Sequence, residues 1–192
     1  MARKNSPPQD WPPPPPPEAV EAKQPPTSQA RKNAHLAIAA SGEAAFQQTT
    51  TLLEEVTLIH QALPERSVDE VQLRTPLLGK PLEVPLLIGA MTGGTREAGK
   101  INRELAAVAQ ATGVALCLGS QRPMLDDPKL ASTYQVREVA PDVLLLGNLG
   151  ALQAAAAEPE AVEEMLLSVG ADALMIHLNP AQELMQPEGD RD

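Results

Sequence analysis

Four short apolar runs, each ending in a polar residue, recur along this chain at a nearly constant interval. They are residues 85–92 (PLLIGAMT), 115–120 (ALCLGS), 143–148 (VLLLGN) and 173–177 (ALMIH), and their last residues are Thr92, Ser120, Asn148 and His177. Successive ends stand 28, 28 and 29 residues apart. Each run is too short and too uniformly apolar for an amphipathic helix, and suits a strand buried on both faces of a parallel sheet. The interval leaves room for one crossover helix per strand. A (β/α)8 barrel spends about 250 residues on eight units, roughly 31 each. The chain therefore reads as α/β, with about the first four units of a TIM-type barrel and polar groups at the strand ends, where barrels keep their chemistry.

The connecting segments fit this reading. Thr95 is placed to N-cap a helix with Ala98, Ile101, Leu105, Val108 and Ala109 on one face, stopped by Gly113. Asp127-Pro128 supplies a cap and a first-turn proline for a second, shorter helix, with Pro141 at the end of that unit. Pro159 opens a third, with Val162, Met165, Leu166 and Val169 inward and Gly170 at its end. Ahead of the first run, residues 68–75 alternate apolar and polar side chains. They are expected to form a strand hairpinned across Gly79-Lys80-Pro81 onto residues 82–84, as a floor beneath the barrel. Residues 6–29 are rich in proline, with an unbroken run at 12–17 and the only tryptophan, Trp11. Residues 1–29 are thus expected to be a disordered, polyproline-like tail, and 30–192 the folded part.

Composition excludes several classes of partner. A formal net charge of −10 argues against a general nucleic-acid or anionic-membrane binder. With 2% aromatic residues, base-stacking platforms are not expected and the core must be aliphatic. The one cysteine, Cys117, lies in the second apolar run and reads as a buried, inert thiol, which fits a reducing cytoplasm. No apolar stretch approaches the 18 residues of a membrane span, and no apolar region follows Arg3 and Lys4 as in a signal peptide.

Five constellations carry chemistry. Met91-Thr92-Gly93-Gly94 lets backbone approach a flat ligand, although two glycines also make a plain tight turn. Gly119-Ser120-Gln121-Arg122 puts a hydroxyl, an amide and a guanidinium at one strand mouth; Arg122 is able to fork onto a phosphate or to pair along its own helix. Asn148, between glycines, suits hydrogen bonding to a heteroaromatic ring or a left-handed turn. The most specific is His177-Leu178-Asn179-Pro180-Ala181-Gln182-Glu183. There Glu183 is a hard oxygen donor for Mg²⁺, which keeps most of its coordination for water and phosphate oxygens, so a metal here implies a phosphorylated ligand. Arg31-Lys32 with His35 on the same helical face is either a solvated basic start or the cationic side of a diphosphate site.

Taken together, these stretches resemble the FMN-dependent type 2 isopentenyl-diphosphate delta-isomerase family. The matching segments are Arg31-Lys32-x-x-His35, Leu58-Ile59-His60-Gln61-Ala62-Leu63-Pro64-Glu65, Leu78-Gly79-Lys80 and Ala90-Met91-Thr92-Gly93-Gly94-Thr95. They continue through Ile101-Asn102, Gly119-Ser120-Gln121-Arg122, Gly147-Asn148-Leu149-Gly150-Ala151, His177-Leu178-Asn179-Pro180-x-Gln182-Glu183 and the final Gln186-Pro187-Glu188-Gly189-Asp190-Arg191-Asp192. The resemblance implies a (β/α)8 barrel that interconverts isopentenyl and dimethylallyl diphosphate, a net 1,3-proton shift, with FMN in its reduced form, NADPH as reductant and Mg²⁺ on the diphosphate. It implies FMN contacts at Ala90, Met91, Thr92, Ser120 and Asn148, and Mg²⁺ at Glu183. Arg31, Lys32, His35, Arg122, His177, Asn179 and Gln182 would surround the substrate, with His177 and Gln182 as the catalytic pair, positioning first and proton handling second. It also implies a homo-oligomer in the full-length family.

The chain ends after the fourth unit, before the later strands that supply further FMN contacts in the family. It is expected to be a fragment or truncated product that binds FMN weakly and does not turn over alone, with open sheet edges and an exposed aliphatic inner face. Two other readings stand beside the isomerase. One is a different FMN barrel oxidoreductase, such as a 2-hydroxy-acid oxidase or a glutamate-synthase-like domain; the other is a non-catalytic remnant.

Overall fold

The computed structural model describes residues 28–42, 44–46 and 48–185 of the 192; the side chains of Ser28, Gln29 and Gln182 lie outside that description, as does the proline-rich stretch before Ser28. Helix α1 spans Ser28–Ser41 and so starts two residues inside the segment expected to be tail. A hairpin of β1 (Thr75–Leu77) and β2 (Lys80–Leu82) follows. Four βα units come next: β3 (Leu87–Ile88), α2 (Arg96–Thr112), β4 (Ala115–Cys117), α3 (Arg122–Asp126), β5 (Leu145–Gly150), α4 (Ala151–Ala156), α5 (Pro159–Val169), β6 (Ala173–His177) and α6 (Pro180–Met185). Strands β3, β4, β5 and β6 pair in chain order, all parallel.

The apolar runs form this sheet because each is followed by residues that start a helix. Thr95 accepts a hydrogen bond from the Ala98 amide at 3.1 Å, and α2 ends at Gly113 with φ 68°, a left-handed position where a side chain would be strained. Gly170 ends α5 in the same way. The buried stripe of α2 is Ala98, Asn102, Ala106 and Ala109; Ala98 and Ala109 are inward as expected, Leu105 packs partly buried against the core and Ile101 is half-buried, while the expected Val108 is not inward. Small residues let the helix lie close to the sheet, which turns Val108 outward to 54% exposure. The second helix expected from Pro128 is a 3-10 helix over Pro128–Thr133, with Asp127 accepting from the Lys129 amide at 3.1 Å, and the short α3 precedes it.

Side chains alternate across the sheet. Leu116, Leu118, Leu145 and Leu149 face outward onto Ala106 and Ala109 of α2 and Met165 and Val169 of α5. Burial of each such leucine is worth about 1.5–3 kcal/mol. The inner face corrects an expectation. Ala115, Cys117, Leu144 and Leu146 are buried there rather than exposed, because they pack on one another and Leu82 of the hairpin closes over them. Only the outer strands leave inner residues half-open, at Leu87, Ala173 and Met175.

The hairpin turns at Leu78-Gly79, so Lys80 and Pro81 belong to its second strand, and residues 68–70 form a 3-10 turn instead of a strand. It lies at the amino-terminal ends of β5 and β6. Lys80 Nζ pairs with Asp172 at 2.9 Å and donates to the Val143 carbonyl at 3.2 Å. Asp172 also accepts from the Leu145 amide and from Arg137, each at 2.8 Å. Arg137 in turn donates to the carbonyls of Gly170 and Val143 at 2.8 and 2.7 Å. Between α1 and this hairpin, every described residue of 48–74 is exposed.

Candidate functional site

Parallel pairing sends Thr92, Ser120, Asn148 and His177 to the same, carboxyl end of the sheet. Two polar clusters and a short helix gather there.

The first cluster joins α1 to the loops after β3 and β4. Lys32 Nζ donates to the Gly93 carbonyl at 2.6 Å and to the Tyr134 hydroxyl at 3.2 Å, and lies 5.8 Å from that ring's centre. The tyrosine hydroxyl donates to the Ser120 carbonyl at 2.7 Å. Asn102 Nδ2 donates to the carbonyls of Thr92 and Thr133, at 3.1 and 3.0 Å, and the Gly94 amide donates to Thr133 Oγ1 at 2.9 Å. The backbones meet closely: a Cβ on Gly93 would overlap the Tyr134 ring, and one on Gly119 would overlap the Thr92 backbone. Burial, with the nearby Arg31 charge adding to it, brings the Lys32 ammonium down to about 8, while burial pushes the Tyr134 hydroxyl up.

The second cluster spans β4, β5 and β6. Asn148, 1% exposed, sets its Oδ1 at 2.8 Å from His177 Nδ1, and its Nδ2 donates to Cys117 Sγ at 3.7 Å. Gln121 clamps the Asn148 backbone from both sides. The Gln121 amide donates to the Asn148 carbonyl at 2.8 Å, and the Asn148 amide donates to Gln121 Oε1 at 3.0 Å. Cys117 is buried as expected; that burial raises its thiol, and the Asn148 contact opposes the rise.

The remaining candidates sit around these clusters. Ala90 and Met91 are exposed, the latter at 70%, and Thr92 and Ser120 are half-buried. Arg31 and Arg122 are half-buried and His35 is exposed. On the loop into α6 and the helix itself, Asn179 Nδ2 donates to Glu183 Oε1 at 2.9 Å. The side chain of Gln182 and residues 186–192 lie outside the described part. Among the described residues, no group of three or more His, Cys, Asp or Glu stands close enough to hold a metal ion by itself. No described helix is long and apolar enough to cross a membrane.

Sequence reasoning missed Tyr134, and with it the link from Lys32 to Ser120. The signal was present: this is the only tyrosine of an otherwise aliphatic chain. It also read Gln121 as a mouth residue, whereas Gln121 is fully buried and acts on the Asn148 backbone.

No protein-family model matches the chain. It is, however, similar to curated proteins named isopentenyl-diphosphate delta-isomerase. It shares 44% identity over 167 residues with one from Methanosarcina mazei, covering 86% of this chain and 46% of that protein. With one from Deinococcus radiodurans it shares 46% over 167 residues, covering 84% and 48%. With one from Synechocystis sp. it shares 48% over 162 residues, covering 84% and 46%. The chain spans about half the length of the curated relatives it matches.

Proposed function

We propose that this chain carries the diphosphate-gripping half of an FMN-dependent, type 2 isopentenyl-diphosphate delta-isomerase, built on a (β/α)8 barrel. The homologues' printed name supports the reaction. The observation that carries the reading is the convergence of Thr92, Ser120, Asn148 and His177 on one end of a parallel sheet, beside a desolvated Lys32 ammonium.

The chemistry demands such a site. Interconverting isopentenyl and dimethylallyl diphosphate adds a proton at one end of an alkene unit and removes one from the far carbon, through carbocation character. The diphosphate must be held by cations while the hydrocarbon is kept dry. Lys32 retains its charge at neutral pH, and in a partly desolvated setting that charge attracts a phosphate oxygen more strongly than it would in water. Arg31, whose charge acts on Lys32, is assigned to the substrate's surroundings together with His35 and with Arg122, next in sequence to the Pro123 that stands with Lys32 beside Gly94.

The residues present fit both accessory groups. Exposed Ala90 and Met91, the close Thr92–Gly119 backbone approach and half-buried Ser120 leave backbone and small groups accessible to the FMN ring. Bound there in reduced form, with NADPH as its reductant, the flavin supplies a π-rich surface and exchangeable protons beside the alkene. Glu183, oriented by Asn179, offers one carboxylate, which fits an Mg²⁺ completed by water and substrate phosphate rather than a protein cage. His177 and Gln182 are assigned to positioning the substrate, with proton handling second.

The test is Mg²⁺-dependent binding of isopentenyl diphosphate by the full chain, followed by calorimetry. Binding that weakens at least tenfold in Glu183→Gln is expected. Binding of the same strength with and without Mg²⁺, or unchanged in Glu183→Gln, overturns the assignment.

A further inference from the structure

We propose that Cys117 and Asn148 together lock His177 in the tautomer that carries its proton on Nδ1, leaving the Nε2 lone pair at the strand mouth. Cys117 Sγ has two neighbours that only accept, the Leu118 carbonyl and Met175 Sδ, each at 3.5 Å. With the single thiol hydrogen taken to go to one of them, sulfur turns lone pairs toward Asn148. The end of the Asn148 carboxamide that faces sulfur is therefore its NH2, at 3.7 Å.

Its other end is then the oxygen, 2.8 Å from His177 Nδ1. A carboxamide oxygen has no hydrogen to give, so Nδ1 must carry one, and in the neutral ring Nε2 carries none. The Asn148 backbone is pinned on both its amide and its carbonyl by Gln121, so the residue has no room to swing away. Nε2 lies over the carboxyl end of β5, 3.2 Å from where a Cβ on Gly150 would stand. In this arrangement Asn148 is a positioning residue for His177, in addition to any flavin contact. The functional consequence rests on the proposed isomerase reading. Neutral His177 presents an acceptor to the site, and it donates to a diphosphate oxygen only after Nε2 gains a proton.

Two-bond proton–nitrogen correlation spectra of the full, nitrogen-15-labelled chain, recorded where the ring is neutral, test the lock without any ligand. The His177 signals are identified by their loss in His177→Gln. A pattern with protonated Nδ1 and bare Nε2 is expected in the parent chain. Asn148→Asp, whose carboxylate only accepts, keeps that pattern, and Asn148→Ala loses it. Cys117→Ala frees the amide to reverse and gives a mixture, whereas Cys117→Ser restores the single form. A parent chain with protonated Nε2 overturns the proposal, and a Cys117→Ala spectrum identical to the parent overturns the part assigned to the thiol. Absence of Mg²⁺-dependent isopentenyl diphosphate binding alongside an intact Nδ1–H pattern would count against the reading of function and not against the lock.

Discussion

Lys32 shows how one residue ties fold to chemistry. Burial brings its ammonium from an ordinary 10.5 to about 8, and a bound diphosphate favours the charged form and moves it back up. Below pH 8 the free protein already holds the proton, so affinity is at its full value. Above 8 the free protein must take up a proton to bind, so affinity falls with rising pH until it passes the higher value of the complex. Calorimetry with Mg-pyrophosphate between pH 7 and 10 should show this decline, and Lys32→Met should remove it. At pH 7 the same variant should lose roughly 10- to 100-fold in affinity, the worth of one charge-assisted hydrogen bond. Tyr134→Phe keeps the ring under Gly93 but leaves the half-buried Ser120 carbonyl without its donor. It should cost about 1–3 kcal/mol in urea unfolding. Residues whose role is local were legible in the sequence: Thr95, Gly113 and Gly170 act within their own helix termini. Tyr134 and Gln121 were not, because their partners stand 14 and 27 positions away and only the sheet brings them together.

At the scale of elements, the βα units were legible because a doubly buried strand and a capped helix each leave a signature within a few residues. The hairpin was read two or three positions out of register, since alternation in residues 68–75 marks exposed extended chain as readily as a strand. What fixes its place is Asp172, which no local pattern in the sequence singles out. Burial pushes its carboxyl up, but hydrogen bonds from the Leu145 amide, Lys80 and Arg137 outweigh that and hold it below the ordinary 3.8. A carboxyl lowered by folding stabilises fully above its unfolded value and loses that contribution as pH falls through the folded one. Urea midpoints of the parent should therefore drop below pH 3.8, and those of Asp172→Asn should drop less over the same range. At pH 7 Asp172→Ala should cost about 2 kcal/mol, because it leaves two half-buried cations facing carbonyls alone.

At the scale of the molecule, β4 and β5 are paired on both sides, while among the described residues β3 and β6 each have one neighbour. Amide exchange should follow that order, slowest in Leu145–Gly150 and fastest in Leu87–Ile88; equal rates in the two strands would refute the strand order. Burial of the inner face under Leu82 could not be foreseen from periodicity, which marks that face as apolar without saying what covers it. The opposite surprise is the stretch between α1 and the hairpin. Leu58 and Ile59 were expected within the folded part, yet they stand 85% and 95% exposed, with Leu53 and Leu63 nearly as open. An aliphatic series of this size in water favours self-association, as does an unpaired strand edge. Sedimentation of the chain should accordingly show concentration-dependent association. If the aliphatic stretch drives it, the double variant Leu58→Asp, Ile59→Asp should shift the protein toward monomer, without lowering its urea midpoint by more than about 0.5 kcal/mol equivalent, since exposed side chains contribute little to the fold. Association that survives this variant would instead assign the contact to the outer edges of β3 and β6, and a charged residue at Ile176 on β6 would then be the substitution that dissolves it.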